Sequence, residues 1–93
     1  MANDANVRDV EQLALFGRNI KSLGENMYST MQVAQQRMNA VCEGWHDDHN
    51  EKFRELFNQS VQDVKRMSEQ FAEYADFIAR ITNYLQEYKN IRI

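Results

Sequence analysis

The 93-residue chain contains no proline, and this absence is the strongest constraint on its fold. Proline removes a backbone donor and clashes with the preceding turn of a helix, so a chain without it can form helices that run uninterrupted. Three glycines and one cysteine also argue against a loop-rich scaffold held by intramolecular disulfides. We therefore expect long, regular elements joined by few turns.

Apolar and small residues recur at seven-residue intervals in the first half of the chain. One series contains Val10, Gly17, Gly24, Met31, Met38 and Trp45, and the other contains Leu13, Ile20, Met27, Ala34 and Val41. The two series are offset by three and then four residues, which is typical of a helix packed against another helix. The spacing predicts a helix from about residue 6 to about residue 43.

The second half shows the same periodicity. One series contains Phe57, Val64, Phe71, Ile78 and Leu85, and the other contains Phe53, Ser60, Met67, Tyr74, Ile81 and Tyr88. They predict a second helix from about residue 48 to about residue 89. A connection of about four residues requires the helices to fold back on each other. The predicted fold is all-α: one domain over residues 1–93, built as an antiparallel two-helix hairpin.

Turn-forming and helix-capping residues occupy the connection, at about residues 44–47. Gly44 is placed to end the first helix in a left-handed conformation, which costs glycine little. Asp47 or Asp48 can cap the second helix, and Asp48 with Glu51 has the spacing of a capping box. Both signals place the helix boundary where the periodicity does.

Gly17 and Gly24 lie in the predicted contact between the helices, opposite the segment from Phe71 to Tyr84. Glycine costs a helix interior about 1 kcal/mol relative to alanine. We therefore expect these two glycines to permit close packing against bulky residues; the alternative is that they are tolerated defects.

Further apolar residues flank the predicted contact and have no partner within one hairpin. They are Phe16 and Leu23 on the first helix and Leu56, Phe77, Tyr84 and Ile91 on the second. Two helices cannot enclose a core of their own, and exposed apolar area of this size is typical of an interface. We expect an obligate dimer that forms a four-helix bundle, either with itself or with a related hairpin. Phe16, Leu23, Phe77, Tyr84 and Ile91 are the predicted interface residues.

Net charge argues against a nucleic-acid partner, and the distribution of apolar residues argues against a membrane. Eleven basic residues against fourteen acidic ones give a net charge of −3, whereas nucleic-acid binding requires a concentrated basic surface. No apolar run is long enough to span a bilayer, so we expect no stable membrane insertion. The polar start of the chain predicts no Sec signal peptide.

The only constellation with potential metal chemistry lies at the turn: Cys42, His46, Asp47, Asp48 and His49. Its spacing does not match a familiar structural zinc pattern, and a capped, solvated turn explains the same residues. The sequence also has no glycine-rich phosphate loop, no HExxH motif and no nucleophile with an evident base. We expect no catalytic, cofactor-binding or metal-binding residues, and hence no enzyme.

The tip of the hairpin carries a motif. Trp45-His46-Asp47 lies at the turn, and Phe53 follows eight positions after the tryptophan. With two long predicted helices and a length just under one hundred residues, this resembles the WXG superfamily of early-secreted-antigen-like helical hairpins. Asp47 stands where that family has glycine. The turn residues that carry the resemblance are Gly44, Trp45, Asp47 and Phe53.

The resemblance implies a dimeric protein exported through a type VII secretion system without a Sec signal, as an effector or an effector adaptor. Its implied partners are a secretion component or a toxin cargo, and its implied location is secreted, or cytoplasmic before export. The Tyr-x-x-x-Asp/Glu export motif of the actinobacterial branch is absent, because Tyr84 is followed at the fourth position by Tyr88. An alternative is a cytoplasmic scaffold or chaperone-like hairpin that covers a partner helix.

Trp45 has two compatible interpretations. As a structural residue it covers Val41 and Phe53 at the end of the bundle. As a functional residue it is a docking handle, because tryptophan concentrates binding energy in a small surface.

Overall fold

Two long helices make up the structure, a computed structural model that describes the backbone of residues 7–91 and the side chains of residues 9–87. Helix α1 is Val7–Cys42, and helix α2 is Asp48–Ile91. The described residues form no strand, which confirms the prediction of an all-helical chain. The predicted start of the first helix, at residue 6, lies outside the described residues. No helix within the described range is long and apolar enough to cross a membrane.

The helices pack antiparallel along their whole length, which confirms the hairpin. Gln35 Nε2 donates to Asn58 Oδ1 at 3.0 Å, and Arg54 Nη2 donates to the carbonyl oxygen of Asn39 at 3.5 Å. The result is a thin rod with extents of 70 × 17 × 16 Å. A rod two helices thick encloses little, and among the described side chains the buried apolar ones are Val10, Met38, Cys42 and Val61.

Gly17 and Gly24 bring the helices into close contact, as expected. A Cβ added at Gly17 would lie 2.9 Å from Ile78 Cγ2, and one added at Gly24 would lie 3.2 Å from the Cα atom of Ser68. The first distance is shorter than real Cβ atoms show, and the second is tighter than most of their contacts, so that a side chain at either position would displace its neighbour. Both glycines therefore permit a helix spacing that a larger residue would widen.

Helix α2 is rotated about its axis relative to the sequence prediction. Phe57, Val64, Phe71, Ile78 and Leu85 are half-buried, as expected for residues facing α1. The second predicted series is exposed, namely Phe53, Ser60, Met67, Tyr74 and Ile81; Tyr88 falls outside the described side chains. The positions that face α1 instead are held by Val61, Ser68, Ala75 and Thr82. Smaller side chains there let α2 approach the glycines of α1, and the bulky series is left on the outside.

The turn differs from the prediction at Gly44. No described glycine has a positive φ angle, so the left-handed helix end expected at Gly44 is wrong. The last turn of α1 is closed by the Trp45 amide, which donates to the Cys42 carbonyl oxygen at 3.1 Å. The side-chain amide of Asn50 donates to the carbonyl oxygens of both Cys42 and Trp45. A side chain from α2 thus satisfies one carbonyl group at the end of α1, that of Cys42, and one in the turn, that of Trp45.

Asp47 caps α2. Its Oδ1 accepts hydrogen bonds from the backbone amides of His49 at 2.9 Å and Asn50 at 3.2 Å. These are two of the amide groups that a helix start leaves without intrahelical partners. Of the two aspartates considered, Asp47 is therefore the cap. The capping box expected from Asp48 and Glu51 is wrong, because Asp48 is already inside the helix.

Candidate protein-interaction surface

One long side of the hairpin carries most of its exposed apolar side chains. We call it the apolar face and define it by Phe16, Leu23, Met27 and Val41 of α1 and by Phe53, Met67, Tyr74, Phe77, Ile81 and Tyr84 of α2. Among these, Phe77 is 58% exposed, Tyr84 is 65% exposed and Val41 is 75% exposed. Apolar side chains scattered singly on a surface are ordinary, whereas a set gathered on one side of both helices is characteristic of an interface.

Two shallow grooves establish that both helices contribute to the same side. The turn-end groove is lined by Ala34, Val41 and Trp45 together with Phe53 and Phe57 of α2. A second groove further along is lined by Met27, Thr30 and Met31 together with Val64. On α1, Phe16, Leu23 and Thr30 follow one another at seven-residue intervals, so Phe16 and Leu23 lie on the same side as Thr30. On α2, Met67, Tyr74 and Ile81 lie at multiples of seven residues after Phe53 and therefore share its side.

The opposite side of the hairpin is polar. Its groove lies between Ala14 and Gly17 of α1 and Ala79 of α2, and charged or amide side chains border it: Arg18, Lys21, Asp76, Asn83 and Gln86. Thr82, at the bottom, is buried, and its hydroxyl donates to the Ala79 carbonyl oxygen at 3.0 Å. The hairpin therefore has one apolar and one polar side, as each half of a larger helical bundle does.

The predicted interface residues lie at one end of the apolar face. Phe16 and Leu23 of α1 and Phe77 and Tyr84 of α2 are each more than half exposed. Their antiparallel register places them near the chain termini, as the sequence indicated. The side chain of Ile91 lies outside the described residues.

The predicted turn residues lie at the other end. The rings of Trp45 and Phe53 are 6.2 Å apart between centroids, and Phe53 lies 6.0 Å from Phe57. Trp45 is 36% exposed, so its indole is available at one edge while it packs on Phe53. It does not cover Val41, which is among the most exposed apolar residues of the chain. Gly44 is exposed in the turn, and Asp47 performs the capping described above.

The polar cluster at the turn offers no metal site. His49 Nδ1 lies 3.7 Å from Asp47 Oδ1, and both side chains are largely exposed. Within residues 7–91, which the structure describes, no three metal-ligating side chains come together. Cys42 is buried, consistent with packing as a small apolar residue.

Several members of the apolar face were not identified from the sequence, and three of them lie on α2 toward the chain terminus. Met67, Tyr74 and Ile81 were assigned to the contact with α1, whereas they are exposed beside Phe77 and Tyr84. The signal that could have identified them is a second pattern on α2, in which steps of three and four residues lead from Phe53 through Leu56 to Tyr84. A helix with two such patterns contacts two neighbours.

Comparison with protein-family models, with curated proteins and with solved structures found no match for this chain. Functional conclusions therefore depend on the residues and geometry above.

Proposed function

We propose that this chain is a non-enzymatic protein-interaction module that completes a four-helix bundle by docking its apolar face on a second helical hairpin, either another copy or a related chain. The observation that carries this proposal is the apolar face, which lies on one side of both helices and is densest in the half that carries the termini. In keeping with the resemblance to the WXG superfamily, we propose that the resulting dimer is a secretion-associated effector or effector adaptor.

The residue types on the apolar face support an interface with a protein. Aromatic residues and methionine are enriched in interface cores, and charged residues are depleted there. Phe77, Tyr74 and Met67 fit that composition, whereas a surface meant for water would carry lysine and glutamate. Each fully buried side chain of this size contributes about 1.5–3 kcal/mol. Five or six of them are enough to offset the entropy lost when two hairpins associate.

At the turn, we propose that Trp45 serves both as a structural residue, packed on Phe53 alone, and as a docking handle. Its ring packs on Phe53 and closes the end of the hairpin. Its exposed edge lines the turn-end groove with Ala34 and Val41, where a helix of a secretion component or of a toxin cargo would contact it. Tryptophan at such a position commonly supplies a large share of the binding energy.

The second candidate function is a cytoplasmic scaffold or chaperone-like hairpin. The turn-end groove favours it, because the groove is lined almost entirely by apolar side chains and is open along its length. A single amphipathic helix of a partner protein could be held there until assembly. Genes for a secretion ATPase or a toxin beside this one would favour the first candidate instead.

Two variants test the proposed docking. Phe77→Ser removes a central side chain of the apolar face. Leu15→Ser is the matched control, because it removes an exposed apolar side chain that lies on α1 outside the apolar face. We expect Phe77→Ser to weaken association at least about tenfold in sedimentation equilibrium, with unchanged helical circular dichroism. We expect Leu15→Ser to leave both unchanged. Equal behaviour of the two variants, or a folded monomer that binds no related hairpin, would contradict the proposal.

Export is tested separately. The chain, expressed in its native host, is expected in the culture supernatant while a cytoplasmic marker protein stays with the cells. Retention of the chain with that marker would reject the secretion role and favour the scaffold.

A further inference from the structure

We infer that the occupant of the apolar face is a second copy of this chain, which binds antiparallel and offset, so that only the halves carrying the termini overlap. This rests on the proposed function and specifies its partner and geometry. The twofold axis passes beside Tyr74 and Phe77, perpendicular to the helices. Helix α1 then packs on α1 of the second copy, and α2 packs on α2.

The edges of the apolar face indicate the direction of the second copy. The outer edge of α2 is a row of exposed residues whose charges alternate from Arg66 onward: Lys52, Gln59, Arg66, Glu73, Arg80 and Glu87. The corresponding edge of α1 is exposed and uncharged: Gln12, Asn19, Asn26, Val33 and Ala40. If both turns lay at the same end, the charged edge would face the uncharged one. In the antiparallel arrangement the charged edge of α2 faces the charged edge of α2 in the second copy. The uncharged edges of the two α1 helices likewise face each other.

The charges also select the register. Antiparallel helices with a seven-residue repeat can shift past each other only in steps of seven residues. One register places Glu73 beside the partner's Arg80 and Arg66 beside the partner's Glu87. Because the dimer is symmetric, each pair forms twice. A shift by one step in one direction places Glu73 beside the partner's Glu73. A shift by one step in the other direction places Arg80 beside the partner's Arg80. Both shifts juxtapose like charges, which disfavours them.

A shift by two steps again pairs opposite charges, with Arg66 beside the partner's Glu73, and overlaps the hairpins over most of their length. The apolar face decides against it. That register would set Asp63 against the partner's Tyr74 and Arg37 against the partner's Leu13. Asp63 is bonded on its own helix to Arg66 and Gln59, and burying it would remove those groups from water at considerable cost.

The offset register avoids this cost. On α2 it places Tyr74 against the partner's Phe77 and Met67 against the partner's Tyr84. On α1 it places Phe16 against the partner's Ile20 and, in a neighbouring layer, Leu13 against the partner's Leu23. In these layers apolar side chains meet apolar side chains on both helices, and the layer between them on α2 places the uncharged Gln70 against the partner's Ile81. Asp63 lies at the boundary of the overlap, and the turn-end groove beside Trp45 stays open at each end of the dimer.

Paired cysteines test this register. In a Cys42→Ser background, Glu73→Cys with Arg80→Cys places two cysteines together across the offset interface. The matched control, Arg66→Cys with Glu73→Cys, places two cysteines together in the two-step register and in the one-step register that pairs Glu73 with the partner's Glu73, but not in the offset register. Within one helix, cysteines seven residues apart are separated by about 10 Å, too far for an internal disulfide. If Cys42→Ser loses helical circular dichroism, Cys42→Ala serves as the background.

We expect mild oxidation to convert most of the first variant to a covalent dimer that is reversed by dithiothreitol, and to leave the control monomeric on a non-reducing gel. The offset register is overturned if the control forms the covalent dimer instead. It is also overturned if neither variant forms one while sedimentation equilibrium reports a dimer. Either result leaves the proposed docking intact. A monomer in sedimentation equilibrium of the Cys42→Ser chain overturns the second copy as the occupant. In that case the proposed function stands only if a related hairpin binds.

Discussion

At the residue scale, the most informative positions are those where the helices lie closest. Gly17 has the Cγ2 atom of Ile78 at 2.9 Å from where its own Cβ would be, while Gly44 has no atom within 4 Å of that point. Both are glycines in a chain that has only three. Only those in the helix contact are needed for packing.

Substituting alanine at these two positions should have different effects. Gly17→Ala gains about 1 kcal/mol of helix propensity but must push Ile78 and its helix outward, and overpacking costs about 1–3 kcal/mol. We expect a net loss of stability, measured as a lower urea midpoint. Gly44→Ala should change the midpoint little, because its φ is negative and its surroundings are open. A higher midpoint for Gly17→Ala would contradict the close packing.

The helix cap gives a second prediction at this scale. Asp47→Ala removes the acceptor for the His49 and Asn50 amides and should lower the free energy of unfolding by about 1 kcal/mol. Asp48→Ala is the matched control, since the neighbouring carboxylate makes no capping bond and should matter less. Urea unfolding of both variants at neutral pH measures the difference. A larger loss in the free energy of unfolding for Asp48→Ala than for Asp47→Ala would contradict the assignment of the cap to Asp47.

At the element scale, the rotation of α2 is the main feature. Small and polar residues, including Ser68 and Thr82, face α1. Bulkier Met67 and Tyr74 face outward. This arrangement is unusual for a hairpin in isolation, since burying the larger side chains would release more apolar surface from water. It is reasonable for a helix that has a second neighbour.

A pair of truncations tests this rotation. Val61 is 3% exposed, whereas Met67 is 40% exposed. Val61→Ala should lower the free energy of unfolding by about 1–2 kcal/mol at every protein concentration, since it leaves a cavity inside the hairpin. Met67→Ala should have its main effect on association, seen as a shift in sedimentation equilibrium. If Met67→Ala instead destabilised a dilute monomer more than Val61→Ala, the prediction from sequence that Met67 faces α1 would be correct.

The elements were predictable from sequence because helix periodicity and the lack of proline are local signals. The hairpin followed from the short connection, and the contact at Gly17 and Gly24 followed from α1. The face of α2 did not, because its residues form two overlapping seven-residue patterns of similar apolar content, and nothing local decides which of them contacts α1. The Asn50 amide that joins the helix ends is also a tertiary feature, and no local pattern identifies it.

At the scale of the whole molecule, the proposed docking links stability to concentration. If two hairpins share one apolar core, dilution favours the unfolded chain, and the melting temperature falls. We expect Tm to decrease steadily across a hundredfold dilution, by several degrees, when followed by circular dichroism at 222 nm. The Phe77→Ser variant should show a lower Tm with less dependence on concentration. A Tm that is independent of concentration in the original chain would contradict a dimer of identical hairpins.

The thin cross-section of the rod has a thermodynamic consequence. Heat capacity increases on unfolding because apolar groups become hydrated, and in this hairpin many such groups already touch water. A lone hairpin should therefore unfold with a small heat-capacity change for its length, over a broad temperature range. Most of the calorimetric signal of this protein would then arise when two rods separate.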